Sequence, residues 1–215
     1  MLDREKRISE DLSAKDRLLD VAALLFAEKG LEGTSVRDIA KEAGLNLSLV
    51  SYYFGGKEGL YRELIQNFAL TVKSEIEKII KTSEGEEISK ENLERVFMMM
   101  VTSFSQMRED YPHLGIIMQR ERIAGLPYAR DIYEKIFTPV GQSLVRVIAR
   151  AQVKGLVRRD LNPLLVFIFL QEAIIGFHNL MNCQLEITQS PANHGQNFKD
   201  FQKQLVTIFV QGIFS

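Results

Sequence analysis

The chain is predicted to be all-α, and three observations carry that prediction. Apolar residues recur three and four apart along nearly its whole length. The breaks between these stretches carry helix chemistry, with Ser, Thr or Asn where a helix would open and Gly or Pro where it would close. No stretch alternates polar and apolar residues as a half-buried strand does. With 215 residues, 46% of them hydrophobic, the chain can build one large or two modest cores. About nine or ten helices fit the pattern, arranged as a small head over residues 1–60 and a larger helical body over 61–215.

The head reads as three short helices. The first runs from about Ser13 to the exit Leu24-Leu25-Phe26-Ala27-Glu28-Lys29-Gly30. Thr34 or Ser35 caps the second, with Asp38 on its opening turn and Val36, Ile39 and Ala40 as one apolar face. Ala43-Gly44-Leu45 supplies a bend: a small residue where helices touch, a glycine where φ turns positive, and an apolar plug. Asn46 caps a third helix over about 47–54, in which Val50 and Phe54 lie one turn apart and are expected to be buried. Leu47, Ser48, Ser51 and Tyr52 then share a face suited to a DNA major groove.

A long helix follows, from Lys57 to about Lys81, carrying Leu60, Leu64, Phe68, Val72, Ile76 and Ile79 or Ile80 at helical spacing. Thr82 to Glu87 reads as a loop. Ser89 caps the next helix, whose apolar side holds Leu93, Val96, Phe97, Met100, Phe104 and Met107, and Tyr111-Pro112 ends it, because a residue before proline avoids the helical region. A shorter helix spans about His113 to Ala124 and stops at Gly125-Leu126-Pro127. From Tyr128 the pattern resumes, with Thr138-Pro139 restarting a helix at its N-cap and first position and Gly155 closing it. Asn162-Pro163 repeats that start. The helix from Pro163 to about Glu186 is apolar around most of its circumference, which calls for burial on two sides. Ser190 to Gly195 separates it from a last helix with Phe198, Phe201, Leu205, Ile208, Phe209 and Phe214.

The segment from about Ser13 to Leu64 closely resembles the helix-turn-helix of TetR-family transcriptional regulators. The matching elements are the phenylalanine and Lys29-Gly30 exit, the Thr34 to Ala40 helix, the alanine-glycine turn, the reader helix ending Ser51-Tyr52-Tyr53-Phe54, and Lys57-Glu58 opening a long helix. One departure is Ser51, which stands where the family pattern has its first tyrosine. The resemblance implies a dimeric, ligand-responsive regulator, a repressor of a palindromic operator, released by a small and largely apolar or aromatic effector. It also implies dimerisation through the last two helices, about 163–186 and 197–214, as a four-helix bundle. DNA contacts carry over to Leu47, Ser48, Ser51, Tyr52, Tyr53 and Lys57.

The side-chain chemistry agrees with those contacts. Asn46 and Ser48 can bond to base edges or phosphates, Leu47 and Leu49 can meet a thymine methyl, and Tyr52, Tyr53 and Lys57 suit phosphate. Lys57 opens a helix, where its charge adds to the dipole in attracting an anion. Thr34 and Arg37, opening the preceding helix, are further candidates. Tyr53 packing on Phe54 and Leu49 facing the core are the alternatives. Charge alone does not announce DNA: the net charge is −1, and in 1–60 nine basic residues face eleven acidic ones. Affinity must therefore come from local placement and from two subunits acting together.

For the effector, the soft interior around Met98-Met99-Met100 suggests a pocket of Phe97, Met100, Phe104, Met118, Phe137, Phe167 and Phe177, with Glu172 and His178 as polar residues needing partners. No cofactor or metal is expected: Cys183 is alone, and His113, His178 and His194 have no Cys, Asp or Glu at ligand or triad spacing. Cys183 reads as a buried structural thiol. The charged start MLDREKRISEDLS lacks a signal-peptide core, and the apolar run Leu164 to Leu170 is too short for a bilayer. A cytoplasmic protein is expected. The rival readings are a small all-α enzyme and a helical module whose head docks on protein.

Overall fold

The computed structural model describes residues 13–84, 88–183 and 198–213, and all regular structure among them is helical. The expected head begins with α1 (Ala14–Lys29), α2 (Val36–Glu42) and α3 (Ser48–Phe54). The Ser13 hydroxyl caps α1 by accepting from the Asp16 N–H, and Gly30 closes it at φ 75°. Leu18, Ala22, Leu25 and Phe26 form its buried stripe, packed on α2 and α3. Ser35, not Thr34, caps α2 by accepting from the Asp38 N–H.

The long helix α4 runs Lys57–Glu84, so Thr82 and Ser83 extend it where a loop was expected. Their hydroxyls bond back to the carbonyls of Lys78 and Ile80, leaving these residues compatible with a last helical turn. Next come α5 (Lys90–Asp110), with the Ser89 hydroxyl accepting from the Asn92 N–H, and α6 (Pro112–Ile123). Pro112 both ends α5 and opens α6, a position where its missing N–H is harmless.

An α-helix does open at Thr138 with Pro139 in its first turn, but no break precedes it and Thr138 is not its cap. The chain runs without interruption through α7 (Arg130–Ile132), a π turn (Tyr133–Phe137) and α8 (Thr138–Val153), and Phe137 is itself helical at φ −69°, ψ −40°. The wider turn lies just before Pro139, whose ring and missing N–H would otherwise break a regular ladder. Then follow α9 (Pro163–Asn182), with the Asn162 carboxamide oxygen accepting from the Leu164 N–H, and α10 (Phe198–Ile213). The expected extension to Glu186, the turn at 190–195 and Phe214 lie outside the described residues. Cys183 follows α9 and is exposed, contrary to the expectation of a buried thiol. At 20 residues, α9 is long and apolar enough by length and composition to cross a membrane, although its most apolar run is short.

The helices gather into two compact units that divide the chain differently from 1–60 and 61–215. One comprises residues 1–71 and 111–134, the other 72–110 and 135–215. In the first, α6 packs along α1, and a buried carboxylate explains why this segment joins the head. Glu121, 3% exposed, accepts from the Tyr61 hydroxyl through Oε1 and from the Tyr128 N–H through Oε2, both at 3.1 Å. Tyr61 stands edge-on to Phe26 and Tyr128; burial first, then the Glu121 charge, pushes its phenol well above the ordinary range. Arg62 clamps Asp131 at 2.8 Å and donates to the Tyr128 carbonyl. Arg120 donates to the Phe26 carbonyl at 2.9 Å. In the second unit α5 packs on α9 and α10, and α8 on α9.

Candidate nucleic-acid interface

The turn between α2 and α3 aims α3. Gly44 bends the chain at φ 64°, and the Asn46 carboxamide oxygen accepts from both the Ser48 N–H (2.9 Å) and the Ser48 hydroxyl (2.8 Å). Asn46 thus caps α3 as its sequence implied. Its oxygen is spent on that cap, so its NH2 remains as donor, while Ser48, having given its proton, remains as acceptor. Val50 is 1% exposed and anchors the inner face of α3. Leu47, Ser48, Ser51, Tyr52 and Tyr53 are exposed on the rest of the helix, Tyr52 most of all among the large residues at 79%. Arg37 is also exposed. Leu49 is only partly buried, and Phe54 is half-buried rather than buried, covered in part by the Lys15 ammonium 5.6 Å above its ring.

Two expected contact residues sit differently. Thr34 is 2% exposed, and its hydroxyl donates within reach of the Leu25 carbonyl (3.1 Å) and the Gly30 carbonyl (2.7 Å). It ties the end of α1 to the start of α2 and presents no surface, because those carbonyls at the helix end need a donor. The Lys57 ammonium donates to the Leu31 carbonyl at 2.8 Å, which pins the start of α4 against the α1–α2 connection. Tyr53 meets both Tyr52 (5.0 Å) and Phe54 (6.0 Å) edge-on, so it packs on Phe54 while remaining exposed.

Sequence reasoning missed Gly59. A Cβ there would lie 1.8 Å from the Phe54 carbonyl oxygen, so the first turn of α4 passes too close to the end of α3 for any side chain. The signal was the cluster Gly55-Gly56-Lys57-Glu58-Gly59. Gly55 closes α3 in the left-handed conformation at φ 72°, and Gly59 then permits the tight re-entry into helix.

The geometry is therefore a reader helix on a fixed two-helix support. A comparison with known families decides its kind: the pattern described as "Bacterial regulatory proteins, tetR family" matches residues 18–64. Residues 18–64 thus carry the helix-turn-helix of the TetR family. Among curated relatives, the probable HTH-type transcriptional regulator YttP of Bacillus subtilis is 37% identical over 123 residues, 56% of each chain. The chain thus spans little more than half the length of that relative. The HTH-type transcriptional repressor KstR2 of Mycolicibacterium smegmatis is 27% identical over 165 residues, 76% of this chain and 77% of that one. The solved structure of the ketosteroid transcriptional regulator KstR2 of Mycobacterium tuberculosis shares the fold, with a TM-score of 0.69 at 24% identity over 94% of this chain and 96% of that one.

The nine expected effector residues are divided between the two units. Met118 belongs to the first unit and the other eight to the second. Phe97 and Met100 are buried in α5, and Phe177 is stacked on Phe201 of α10 at 3.6 Å. The Phe167 ring lies against Gly141 of α8, and Glu172 is exposed. These aromatics fill helix contacts. His178 is half-buried, and burial, then the nearby Arg108 charge, pulls its imidazole below the usual range. A separate cavity of about 350 Å³ opens in the second unit between the later turns of α4 and the π turn with α8; none of the nine expected residues lines it. Among the described residues no group of Cys, His, Asp and Glu could hold a metal.

Proposed function

We propose that the chain is a homodimeric repressor of a palindromic operator, working in the cytoplasm without catalysis, and released by a small effector with a largely apolar part. The observation that carries this reading is the contrast along α3, buried at Val50 and open at Leu47, Ser48, Ser51, Tyr52 and Tyr53. In this reading Asn46, Arg37 and Lys57 add hydrogen bonds and charge to the same contact, and Thr34 contributes by holding α2 in place. Residues 1–60 read DNA, and 61–215 sense the effector and dimerise. Two reader helices about 34–36 Å apart would enter successive major grooves.

The dimer would form through α9 and α10, over about 163–186 and 197–214. The support is an apolar surface that one chain leaves open: Leu164, Leu165, Ile168, Phe169, Leu180 and Met181 on α9, and Ile208 on α10. Effector binding would act through α4, which contributes turns to both units. A coupling of about 1–3 kcal/mol changes occupancy roughly 5- to 150-fold.

The test is selection of random duplex DNA on the purified protein at physiological salt. The expected result is an enriched palindrome that is lost with Tyr52→Ala. A folded dimer that enriches no sequence, with or without candidate effectors, would overturn the reading.

A further inference from the structure

The groove between α4 and α8 has a composition that selects its occupant. Its floor is apolar: Ile76 and Ile80 stand one helical turn apart on α4, facing Ile136, Pro139 and Val140. Its rim carries Lys73, Lys81 and Lys135 against the single carboxylate of Glu77, which is already paired with Lys73 at 3.8 Å. The remaining polar side chain, Ser143, is spent: its hydroxyl donates to the Pro139 carbonyl at 3.0 Å and accepts from Arg146 at 2.6 Å. The groove therefore offers apolar contact and positive charge, with little directional hydrogen bonding. A ligand rich in hydroxyls or amides would leave those groups unpaired there. One with a plain hydrocarbon part and one anionic end would not.

We propose that this groove binds a medium-chain fatty acid, its alkyl chain lying along the isoleucine floor and its carboxylate held by the rim lysines at one end of the groove. A chain fits better than a ring system because the floor is two facing rows of side chains. The α4 row, Lys73 to Lys81, extends about 12 Å at 1.5 Å per residue. The volume of about 350 Å³ lies toward the small end of ligand sites, roughly 300–1,000 Å³. The π turn shapes the opposite wall: it carries Lys135 and Ile136 straight into Pro139 and Val140 with no break in the helix. The proposal deepens the effector-responsive reading above and rests on it for its regulatory meaning, though not for the binding itself.

The experiment is titration calorimetry of the full-length protein, without DNA, using decanoate below its micelle concentration, with decanol as the uncharged comparison. Saturable binding at one site per chain is expected, with decanol roughly tenfold weaker. Lys81→Glu and Lys135→Glu change exposed side chains and leave the fold intact by circular dichroism; each should weaken decanoate roughly five- to tenfold. A folded protein that gives no saturable heat, that binds decanol equally well, or that binds decanoate unchanged in both variants overturns the proposal. The selected operator separates the two readings. A protein that binds operator but not decanoate loses only the groove proposal; one that binds decanoate but enriches no operator loses only the repressor reading.

Discussion

Thr34, Glu121 and His178 are polar residues whose roles were decided by what surrounds them. Thr34 stands beside Ser35 in sequence, and either hydroxyl could cap α2; Ser35 does so, while Thr34 turns inward to the Leu25 and Gly30 carbonyls. Glu121 lies between two arginines in sequence, yet it is buried between Tyr61 and Tyr128. One chain position cannot report a partner sixty residues away. His178 yields a pH prediction. Its folded pKa is depressed below the unfolded value of about 6.5, so the neutral ring favours the folded state above that pH. This contribution is lost as pH falls from about 6.5 through the depressed value. Thermal melts across that window should show the wild type losing stability relative to His178→Gln, and parallel curves would contradict this.

At the scale of elements, the caps were legible and the junctions were not. Ser13, Ser35, Asn46, Ser89 and Asn162 each sit where a helix opens, because a side-chain oxygen next to free N–H groups is a local matter. The π turn before Pro139 was invisible, since proline signals a break equally well when a neighbouring wide turn absorbs it. Gly59 shows a second kind of junction, set by the close approach of two consecutive helices. Gly59→Ala would press a methyl onto the Phe54 carbonyl oxygen. The expected cost is roughly 3 kcal/mol or more, read as a lowered urea midpoint, with loss of operator binding because the shift falls at the end of the reader helix. Gly55→Asn should be milder, since asparagine tolerates the left-handed conformation.

For the whole molecule, the decisive surface is the open apolar face of α9. Val166, Leu170 and Ile174 are buried within one chain, while Phe169 on the other side is 62% exposed. Phe169→Glu is expected to leave each chain folded, because the residue contributes little to its own core. It should shift sedimentation toward monomer and weaken operator binding at least tenfold, since two half-sites would no longer be held together. A dimer of unchanged strength would move the subunit contact elsewhere. The same burial pattern reconciles the membrane-like composition of α9 with its place beside α5 and α8: one stripe serves the core and the other is available to a partner.

The amino-acid order by itself determined the helical class, the caps, the glycine bend and the short helix Ser48–Phe54, all of which depend on interactions within a few residues. It also supplied the exposed set on α3, because a seven-residue helix with one buried anchor at Val50 has few ways to turn. Tertiary structure alone decided that residues 111–134 belong with the head, that Thr34 and Glu121 are interior, and that the groove forms from Ile76, Ile80 and Val140 while the phenylalanines fill helix contacts. Each of those outcomes depends on which helix lies against which. Periodicity states that a helix has an apolar face, and only packing determines whether that face meets a neighbouring helix or is left open.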